Sequence, residues 1–405
     1  MTSQIETIST IDALRSDCAS ADSSTPGMTH RVDFQRDVVC LMGLPFDVTS
    51  VDGVVAHLRQ AAHEGKRCFV STPNLNFVMT ARSDAAFRDS VLHSDLSLAD
   101  GMPLVWIARL LGLQLRERVS GADLFEHLAS HVGAPIGVYF FGGQPGAARA
   151  AAEKIGQREQ GVRSVGFDPA GFGSLDDIST DDHVARINRS DAQFVVVALG
   201  AQKGQAWIER NRGRLTAPLI CHLGAVVNFV AGSAKRAPTR VQALGLEWLW
   251  RIKEEPELWR RYWRDGRQFL VLLATQVLPY ATLVRWHALT TRDSDDASIS
   301  MVRETRGVTL KLRGAWTRQQ LQPLRDALAR LAASEARELC IDLKEVQWID
   351  SAFIGLMLLA RGAFVRAEHF VLRHASSRVT AILRLSGAGY LLASSPCIDH
   401  DPSSI

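Results

Sequence analysis

At 405 residues the chain is long enough for two domains, and its 46% hydrophobic content is typical of a globular protein with a sizeable core. A formal net charge of +3 argues against a nucleic-acid-binding class, because any basic surface must then be local. The six cysteines lack CxxC or His-rich spacing, so we expect buried free thiols and no structural zinc site. The N-terminus has no secretory signal pattern, and no apolar run reaches the roughly 18–20 residues of a membrane-spanning helix. The composition therefore predicts a cytoplasmic location.

Residues 1–30 are rich in Ser, Thr and Asp and predict a flexible leader. Beyond them, short apolar strands alternate with helices that carry apolar residues at helical spacing. The predicted strands are 38–42, 68–70, 96–98, 136–141, 162–166, 194–199 and 219–223. The predicted helices are 51–65, 76–83, 102–113, 124–131, 147–158 and one that begins at Trp207. This alternation predicts that residues 31–240 form a doubly wound, mostly parallel α/β sheet of the Rossmann-like class.

Polar turns follow two of these strands. Ser71-Thr72-Pro73-Asn74-Leu75-Asn76 follows one, and Ala99-Asp100-Gly101 follows the next. In an open parallel sheet, ligands bind just outside the carboxyl ends of the strands. We therefore predict an active site at this edge with Asp100 as its catalytic base. The alternative for Asp100 is a helix N-cap.

Glycine turns follow two further strands. Gly142-Gly143-Gln144-Pro145-Gly146 leads into an alanine-rich helix, and Gly200-Ala201-Gln202-Lys203 follows the most apolar strand of the chain. A strand, a glycine turn and a helix N-terminus together favour a phosphate or nucleotide cradle. The sequence fits neither GxGxxG nor a Walker loop, so a tight turn without a ligand is an equal alternative.

The composition changes near Arg236. Residues 248–267 contain four of the nine tryptophans and six basic residues, and residues 269–284 are nearly all apolar. Amphipathic helices rich in Trp and Arg suit a lipid headgroup interface. We predict that residues 241–289 form a helical appendage on the inner face of the cell membrane. The alternative is packing of these helices on the sheet or on a second subunit.

A polar segment, residues 290–300, predicts a linker to a small α/β domain at 301–396, with a tail at 397–405. The predicted strands of this domain are 308–312, 338–343 and 370–373. Its predicted helices are 319–333, 353–363 and 376–386.

Several motifs stand in a fixed order along residues 38–275. They are Thr72-Pro73-Asn74, Ala99-Asp100-Gly101, Arg118-Val119-Ser120-Gly121-Ala122-Asp123, Phe141-Gly142-Gly143-Gln144-Pro145-Gly146, Lys235-Arg236-Ala237-Pro238 and Gly245-Leu246-Glu247-Trp248-Leu249. With them the chain resembles the WecG/TagA/CpsF family, glycosyltransferase family 26. The resemblance implies an inverting transferase that moves an N-acetylmannosamine-type or related sugar from a UDP-sugar to a polyprenyl-diphosphate-linked acceptor. The products of such enzymes feed teichoic acid, common antigen or exopolysaccharide synthesis.

The resemblance also assigns roles to individual residues. It implies that Asp100 takes the proton from the acceptor hydroxyl, and that Thr72 and Asn74 line the same pocket. The residues predicted to bind substrate or nucleotide are Asn76, Arg118, Asp123, Gly142, Gly143, Gln144, Gly200, Lys203, Arg251, Arg260 and Arg261. For Asp123, a helix cap is an equal alternative.

The negative charge of a UDP leaving group calls for a metal ion or for arginines. The acidic pairs Asp176-Asp177 and Asp295-Asp296 stand in polar segments and not at predicted strand ends, so we predict catalysis without a metal ion or other cofactor. The resemblance implies that arginines of the appendage fold over the pocket. The candidates are Arg251, Arg260, Arg261 and Arg264, with headgroup contacts or solvated helix faces as the alternative.

Two positions depart from the family pattern. The family usually reads Pro-Lys-Gln-Glu where this chain has Gln202-Lys203-Gly204-Gln205, so a glutamine side chain that could reach the active site is missing. Phe-Asp-Phe is replaced by Val227-Asn228-Phe229. These departures bear on sugar specificity. They also leave a second function open, that of a catalytically degenerate transferase fold acting as a regulatory or scaffold protein.

The C-terminal domain resembles a STAS domain (sulfate transporter and anti-sigma factor antagonist). The resemblance rests on Ile341-Asp342-Leu343, Trp348-Ile349-Asp350-Ser351-Ala352 and Gly355-Leu356. In regulatory members the residue after Asp-Ser is a phosphorylated Ser or Thr, whereas here it is Ala352. We therefore expect a docking module for a protein partner or a second copy of the chain. The alternative is an appendage that only stabilises the fold.

Overall fold

The computed structural model describes residues 5–6, 32–115, 117–156, 158–170, 173–238, 241, 245–254, 259–290, 296–303, 307–334, 338–364 and 369–392. The chain divides into two compact units. One spans Leu44–Ala281, and the other combines Met1–Gly43 with Thr282–Ile405. The segment 32–43, which the sequence analysis assigns to the first domain, therefore packs in the second unit.

The first unit contains a six-stranded sheet in which every strand pair is parallel. Its strands are β4 (Cys68–Ser71), β5 (Leu96–Ser97), β6 (Ile136–Gly142), β7 (Val162–Asp168), β8 (Phe194–Ala198) and β9 (Leu219–His222). They lie in the order β5-β4-β9-β8-β6-β7. A further short strand is β3 (Leu44–Asp47), whose Asp47 accepts the backbone N–H of Ser97 at 2.7 Å.

Helices cover both faces of this sheet. They are α1 (Val51–Glu64), α2 (Leu75–Ser83), α3 (Ala85–Leu92), α4 (Met102–Leu110), α5 (Gly121–Ser130), α6 (Ala147–Ile155), α7 (Asp181–Arg189), α8 (Ala201–Asn211) and α9 (Val226–Ala231). One apolar core joins the sheet to residues such as Leu58 and Leu124, and a second joins the opposite face to Trp207 and Ile208. Strand β8 is buried along its whole length because both faces are covered. The predicted doubly wound sheet is confirmed.

Some element bounds differ from the predictions. Helix α8 begins at Ala201 and not at Trp207, because Gly200 takes the extended N-cap conformation (φ −61°, ψ 150°). Helices α3, α7 and α9 were not predicted. Each has at most nine residues, so the helical spacing of its apolar residues repeats over fewer than three turns.

The appendage continues from the sheet as helices α10 (Glu247–Glu254), α11 (Trp259–Leu272) and α12 (Leu278–Thr290), with a π-helical segment at Leu273–Val277. Trp263–Thr290 is one continuous helix of 28 residues, long and apolar enough to cross a membrane by length and composition alone. It is about 42 Å long, against about 30 Å for a bilayer core. The nearly apolar run at residues 269–284 is only part of this helix, so the run alone predicts a segment too short to span.

The second unit is built on a mixed sheet in the order β1-β10-β11-β12-β13, antiparallel across the first three strands and parallel across the last three. The strands are β1 (Ile5–Glu6), β10 (Ser298–Arg303), β11 (Gly307–Trp316), β12 (Glu338–Ile349) and β13 (Phe370–Arg373). The helices are α13 (Gln322–Ala332), α14 (Ser351–Ala363) and α15 (Ser377–Leu385). Strand β10 begins inside the segment predicted as a linker. The predicted small α/β domain is confirmed.

Residues 32–43 pack against the rest of the second unit through backbone and side-chain contacts. They include strand β2 (Val38–Leu41), which packs on α14. Arg325 donates to the carbonyl of Phe34 at 2.6 Å, and Tyr390 donates to the carbonyl of Gly43 at 2.7 Å. Gly355 permits the close approach, since a Cβ there would lie 3.0 Å from the carbonyl oxygen of Val38.

Candidate active site

Asp100 lies in the turn between β5 and α4, at the carboxyl edge of the sheet. Its backbone N–H donates to the Pro73 carbonyl at 2.9 Å, which ties this turn to the one that follows β4. The N-cap residue of α4 is Gly101, with φ 134°, a backbone conformation that glycine adopts without strain. The structure thus places Gly101, and not Asp100, at the helix N-cap.

Asp100 is partly exposed to solvent. Burial of its carboxyl among protein atoms is the main cause that raises the pKa to about 7. The positive charge of Arg118 and a hydrogen bond from the Gly121 backbone N–H lower the pKa, whereas the negative charges of Glu247 and Asp123 raise it. A carboxyl with a pKa of about 7 is a stronger base than an ordinary aspartate, and about half of it is ionised at pH 7. These are the properties of a general base.

Arg118 stands among three carboxylates. Its Nη2 donates to Asp123 Oδ2 at 2.9 Å, and its Nη1 lies 2.7 Å from Glu247 Oε2. Burial lowers the pKa of Arg118, but the bonds and charges of Glu247, Asp123 and Asp100 outweigh it and hold the pKa above its usual value. Arg118 is therefore a fixed positive charge beside the Asp100 carboxyl.

Asp123 is held by three neighbours at the start of α5. Ser120 is the N-cap of this helix: its Oγ accepts the Asp123 N–H at 3.1 Å and donates to Asp123 Oδ2 at 2.6 Å. Arg236 forms an ion pair with Asp123 and with Glu126. Burial raises the pKa of Asp123, but the bonds from Ser120 and Arg236 and the charge of Arg118 outweigh it and lower the pKa. The capping interaction explains why an aspartate occupies this position, and a sugar-binding role for Asp123 stays a prediction.

Thr72 directly follows β4 and is 5% exposed. Gly121 lies beside it, since a Cβ on Gly121 would be 3.8 Å from Thr72 Oγ1 and 2.4 Å from Leu223 Cδ2. Because the Gly121 N–H also bonds the Asp100 carboxyl, this glycine brings the predicted pair Thr72 and Asp100 into one site. Asn74 is the N-cap of α2 and accepts the Phe77 N–H at 3.2 Å, and Asn76 lies in the first turn of the same helix.

The glycine turns lie at the same edge, after β6 and β8. The Gly143 N–H donates to the Ala198 carbonyl at 2.7 Å, and a Cβ on Gly142 would lie 2.9 Å from that oxygen. Both residues have positive φ (89° and 96°), so the approach of the two strand ends by itself accounts for glycine here. Gly200 caps α8, Gln144 is exposed, and the Lys203 ammonium bonds the Gly173 carbonyl. Nucleotide binding by these five predicted residues, Gly142, Gly143, Gln144, Gly200 and Lys203, stays a prediction.

The appendage contacts the site through an acidic residue. Glu247, in the first turn of α10, binds Arg118 as described above. Arg260 is exposed, and its guanidinium carbon lies 5.9 Å from the centre of the Trp259 ring. Arg264 is exposed and lies 3.8 Å from Asp265. The side chains of Arg251 and Arg261 fall outside the described residues, so the arginine lid stays a prediction.

Glu247 and Arg236 also belong to the site. Both occur in the sequence motifs, but no role was predicted for either residue. Arg236 is 113 positions from its partner Asp123, so local periodicity carries no signal for the pair. Within the described part of the chain, no group of three or more His, Cys, Asp and Glu residues is arranged to hold a metal ion.

Comparison with known proteins gives two family matches. The model of the glycosyl transferase WecG/TagA/CpsF family matches residues 39–282, and that of the Mlab, STAS domain matches residues 299–393. A relative from Bacillus spizizenii is 24% identical over 220 residues, which are 54% of this chain and 84% of the relative. One from Bacillus subtilis is 26% identical over 194 residues, 47% of this chain and 73% of the relative. Both are named N-acetylglucosaminyldiphosphoundecaprenol N-acetyl-beta-D-mannosaminyltransferase.

Proposed function

Because the chain belongs to the WecG/TagA/CpsF family of glycosyltransferases, we propose that it moves an N-acetylmannosamine-type or related hexose from a UDP-sugar to a polyprenyl-diphosphate-linked acceptor. The proposal takes the donor from the family resemblance and the acceptor from the names of the two Bacillus relatives. The product would serve cell-surface or exopolysaccharide synthesis.

The observation that carries the mechanism is the Asp100 carboxyl, with its pKa of about 7 beside Arg118 and Thr72. In the reaction, the acceptor hydroxyl oxygen attacks the anomeric carbon of the donor, and its proton passes to the Asp100 carboxylate. The bond from that carbon to the UDP oxygen breaks, and its electron pair leaves with UDP. Attack opposite to the leaving group inverts the anomeric configuration. Asp100 then releases the proton to solvent.

We assign the stabilisation of UDP to arginines and to backbone N–H groups, without a metal ion or other cofactor. Gly142 and Gly200 stand at the carboxyl edge, where such N–H groups can meet a diphosphate. The Gly143 N–H donates to the Ala198 carbonyl, so Gly143 would contribute by leaving space for the ligand. The Arg118 charge near Asp100 supports this assignment. Transfer that persists in EDTA supports it, and transfer restored only by a divalent cation contradicts it.

We also propose that the protein works at the inner face of the cell membrane, where a polyprenyl acceptor lies. The exposed appendage tryptophans support this, since Trp259 is 53% and Trp263 is 73% exposed. The STAS-like domain would serve a protein partner or a second copy of the chain. Flotation with anionic phospholipid vesicles tests the membrane proposal, because the Trp259→Ala, Trp263→Ala double variant should stay with the soluble fraction.

The direct test of the function is acceptor-dependent release of UDP, with a panel of UDP-sugars and a lipid-diphosphate N-acetylglucosamine acceptor. Wild type should release UDP only when both substrates are present, and the product should carry the inverted anomeric linkage. If wild type and Asp100→Asn release UDP at the same background rate with every donor, the enzyme proposal fails. The degenerate, regulatory reading of the fold would then be preferred.

A further inference from the structure

His222, the last residue of β9, fills the space that a side chain at position 204 would occupy. A Cβ on Gly204 would lie 2.2 Å from His222 Cδ2 and 3.0 Å from its Nε2. No real Cβ tolerates the shorter of these distances, so the imidazole and a side chain at 204 exclude one another. The glycine that departs from the family pattern is thus matched by a ring from the neighbouring strand.

The surroundings fix the protonation of this ring. Burial lowers the pKa of His222, which is 7% exposed, so the imidazole is neutral. Its Nε2 lies 2.7 Å from the Leu199 carbonyl, an acceptor, and must therefore carry the hydrogen. Nδ1 is then an acceptor, and among the described residues it has no hydrogen-bond partner.

The ring also lies at the carboxyl edge of the sheet. Strand β9 pairs with β4, which precedes Thr72, and with β8, which precedes Gly200. Gly204 donates its N–H to the Gly200 carbonyl at 2.7 Å, so the ring packs against the first turn of α8. A buried acceptor without a partner destabilises the fold, and native proteins generally pair such atoms.

We propose that His222 and Gly204 form a matched pair that shapes the donor side of the pocket, and that His222 Nδ1 accepts a hydrogen bond from a hydroxyl or amide N–H of the donor sugar. This inference rests on the proposed function, because it takes the ligand to be a UDP-sugar. It makes His222 a specificity-determining residue of the transfer.

Two substitutions of His222 test its hydrogen bond to the donor sugar. Each keeps a hydrogen-bonding group at the position of one of the two ring nitrogens. Glutamine reaches the Nε2 position and can still donate to Leu199, whereas asparagine reaches the Nδ1 position and keeps an acceptor there. Titration calorimetry is run with each UDP-sugar of the panel, UDP-N-acetylmannosamine included, and with UDP alone. For the UDP-sugar that wild type binds most tightly, His222→Gln should weaken binding about 2- to 10-fold more than His222→Asn does. Binding of UDP alone should be unchanged in both.

The packing part is tested with thermal unfolding of the full chain. Gly204→Gln should lower Tm by about 3–10 °C through overpacking, and adding His222→Gly should restore most of the loss. Gly213→Gln is the matched control, since a Cβ on Gly213 meets nothing within 4 Å and Tm should hardly change.

The outcomes separate this inference from the proposed function. Wild type that binds no UDP-sugar in the panel contradicts the donor class itself. If His222→Gln binds the UDP-sugar that wild type binds most tightly equally well, the role of Nδ1 is overturned. A Gly204→Gln defect that His222→Gly does not relieve overturns the matched pair.

Discussion

Each unit has an aspartate in a turn between a strand and a helix. The two aspartates differ in how many backbone N–H groups donate hydrogen bonds to their carboxylates. Asp100 and Asp350 each follow a strand and precede a helix, and burial is the main cause that raises the pKa of both. Asp350 is the N-cap of α14, and it accepts the N–H of Phe353 and that of Arg318, each at 2.8 Å. Asp100 is not at a cap position. The same local sequence pattern thus forms a helix cap in one unit, and in the other it carries the carboxyl that we propose as the base.

The turn of the second unit is also closed by the chain itself. Ser351, which is 3% exposed, donates its hydroxyl to the Cys40 carbonyl at 2.6 Å. Cys40 is buried, and its Sγ lies 3.7 Å from the Ser386 carbonyl. Segment 32–43 therefore covers the turn in which regulatory STAS domains carry their phosphorylated residue. A partner that docks on this domain needs a different surface, or must displace the segment.

Substituting each aspartate by asparagine should separate the two roles most clearly. Asn cannot accept a proton, so Asp100→Asn should lower kcat for acceptor-dependent UDP release by about 10²–10⁴-fold. Asp350→Asn should leave kcat within a few fold, because Asp350 lies in the other unit. Asparagine can keep the N-cap bond from Phe353, although it loses the bond from the Arg318 N–H. Circular dichroism should show that both variants are folded. Equal losses of kcat in the two variants would show that Asp100 is only structural.

The pH dependence of the reaction should report the same carboxyl. Since Asp100 must be ionised to accept a proton, and its pKa is about 7, kcat/KM should fall about tenfold per pH unit below pH 7 and level off above it. Glu247 raises this pKa, so Glu247→Gln should move the inflection to lower pH. Glu126→Gln is a matched control, since Glu126 also pairs with an arginine, Arg236, but does not contribute to the Asp100 pKa. An inflection that stays in place in Glu247→Gln would assign it to another group.

The sequence was sufficient for the sheet and for placing the polar turns after β4 and β5 at one edge of it. Strand β8 is a run of apolar residues that only a sheet covered on both faces buries, and the turns after β4 and β5 meet because both end at one edge. The sequence could not decide between cap and base for Asp100. That choice depends on Gly121 and Glu247, which approach it only through the tertiary fold.

The contact between His222 and Gly204 could not be predicted from the sequence either. The missing side chain at Gly204 is visible in the sequence, but its replacement comes from a residue 18 positions later on a neighbouring strand. Likewise, no local pattern tells that segment 32–43 packs in the unit that contains residues 282–405. Pairings over such distances follow from packing and not from periodicity.

The smallest predicted effect concerns the turn at Ser351. Ser351→Ala removes the donor to the Cys40 carbonyl and leaves that buried oxygen without this bond, which should destabilise the second unit by about 1–3 kcal/mol. Cys40 offers the measurement, because its buried thiol reacts with a maleimide only when segment 32–43 opens. Labelling of Cys40 should be faster in Ser351→Ala than in wild type, whereas Ser377→Ala, at the start of α15, should leave it unchanged. Because the turn of Asp100 lies in the other unit, UDP release should be the same in all three proteins. Labelling that is equally slow in Ser351→Ala would mean that the segment is held mainly by its other contacts, such as those of Arg325 and Tyr390.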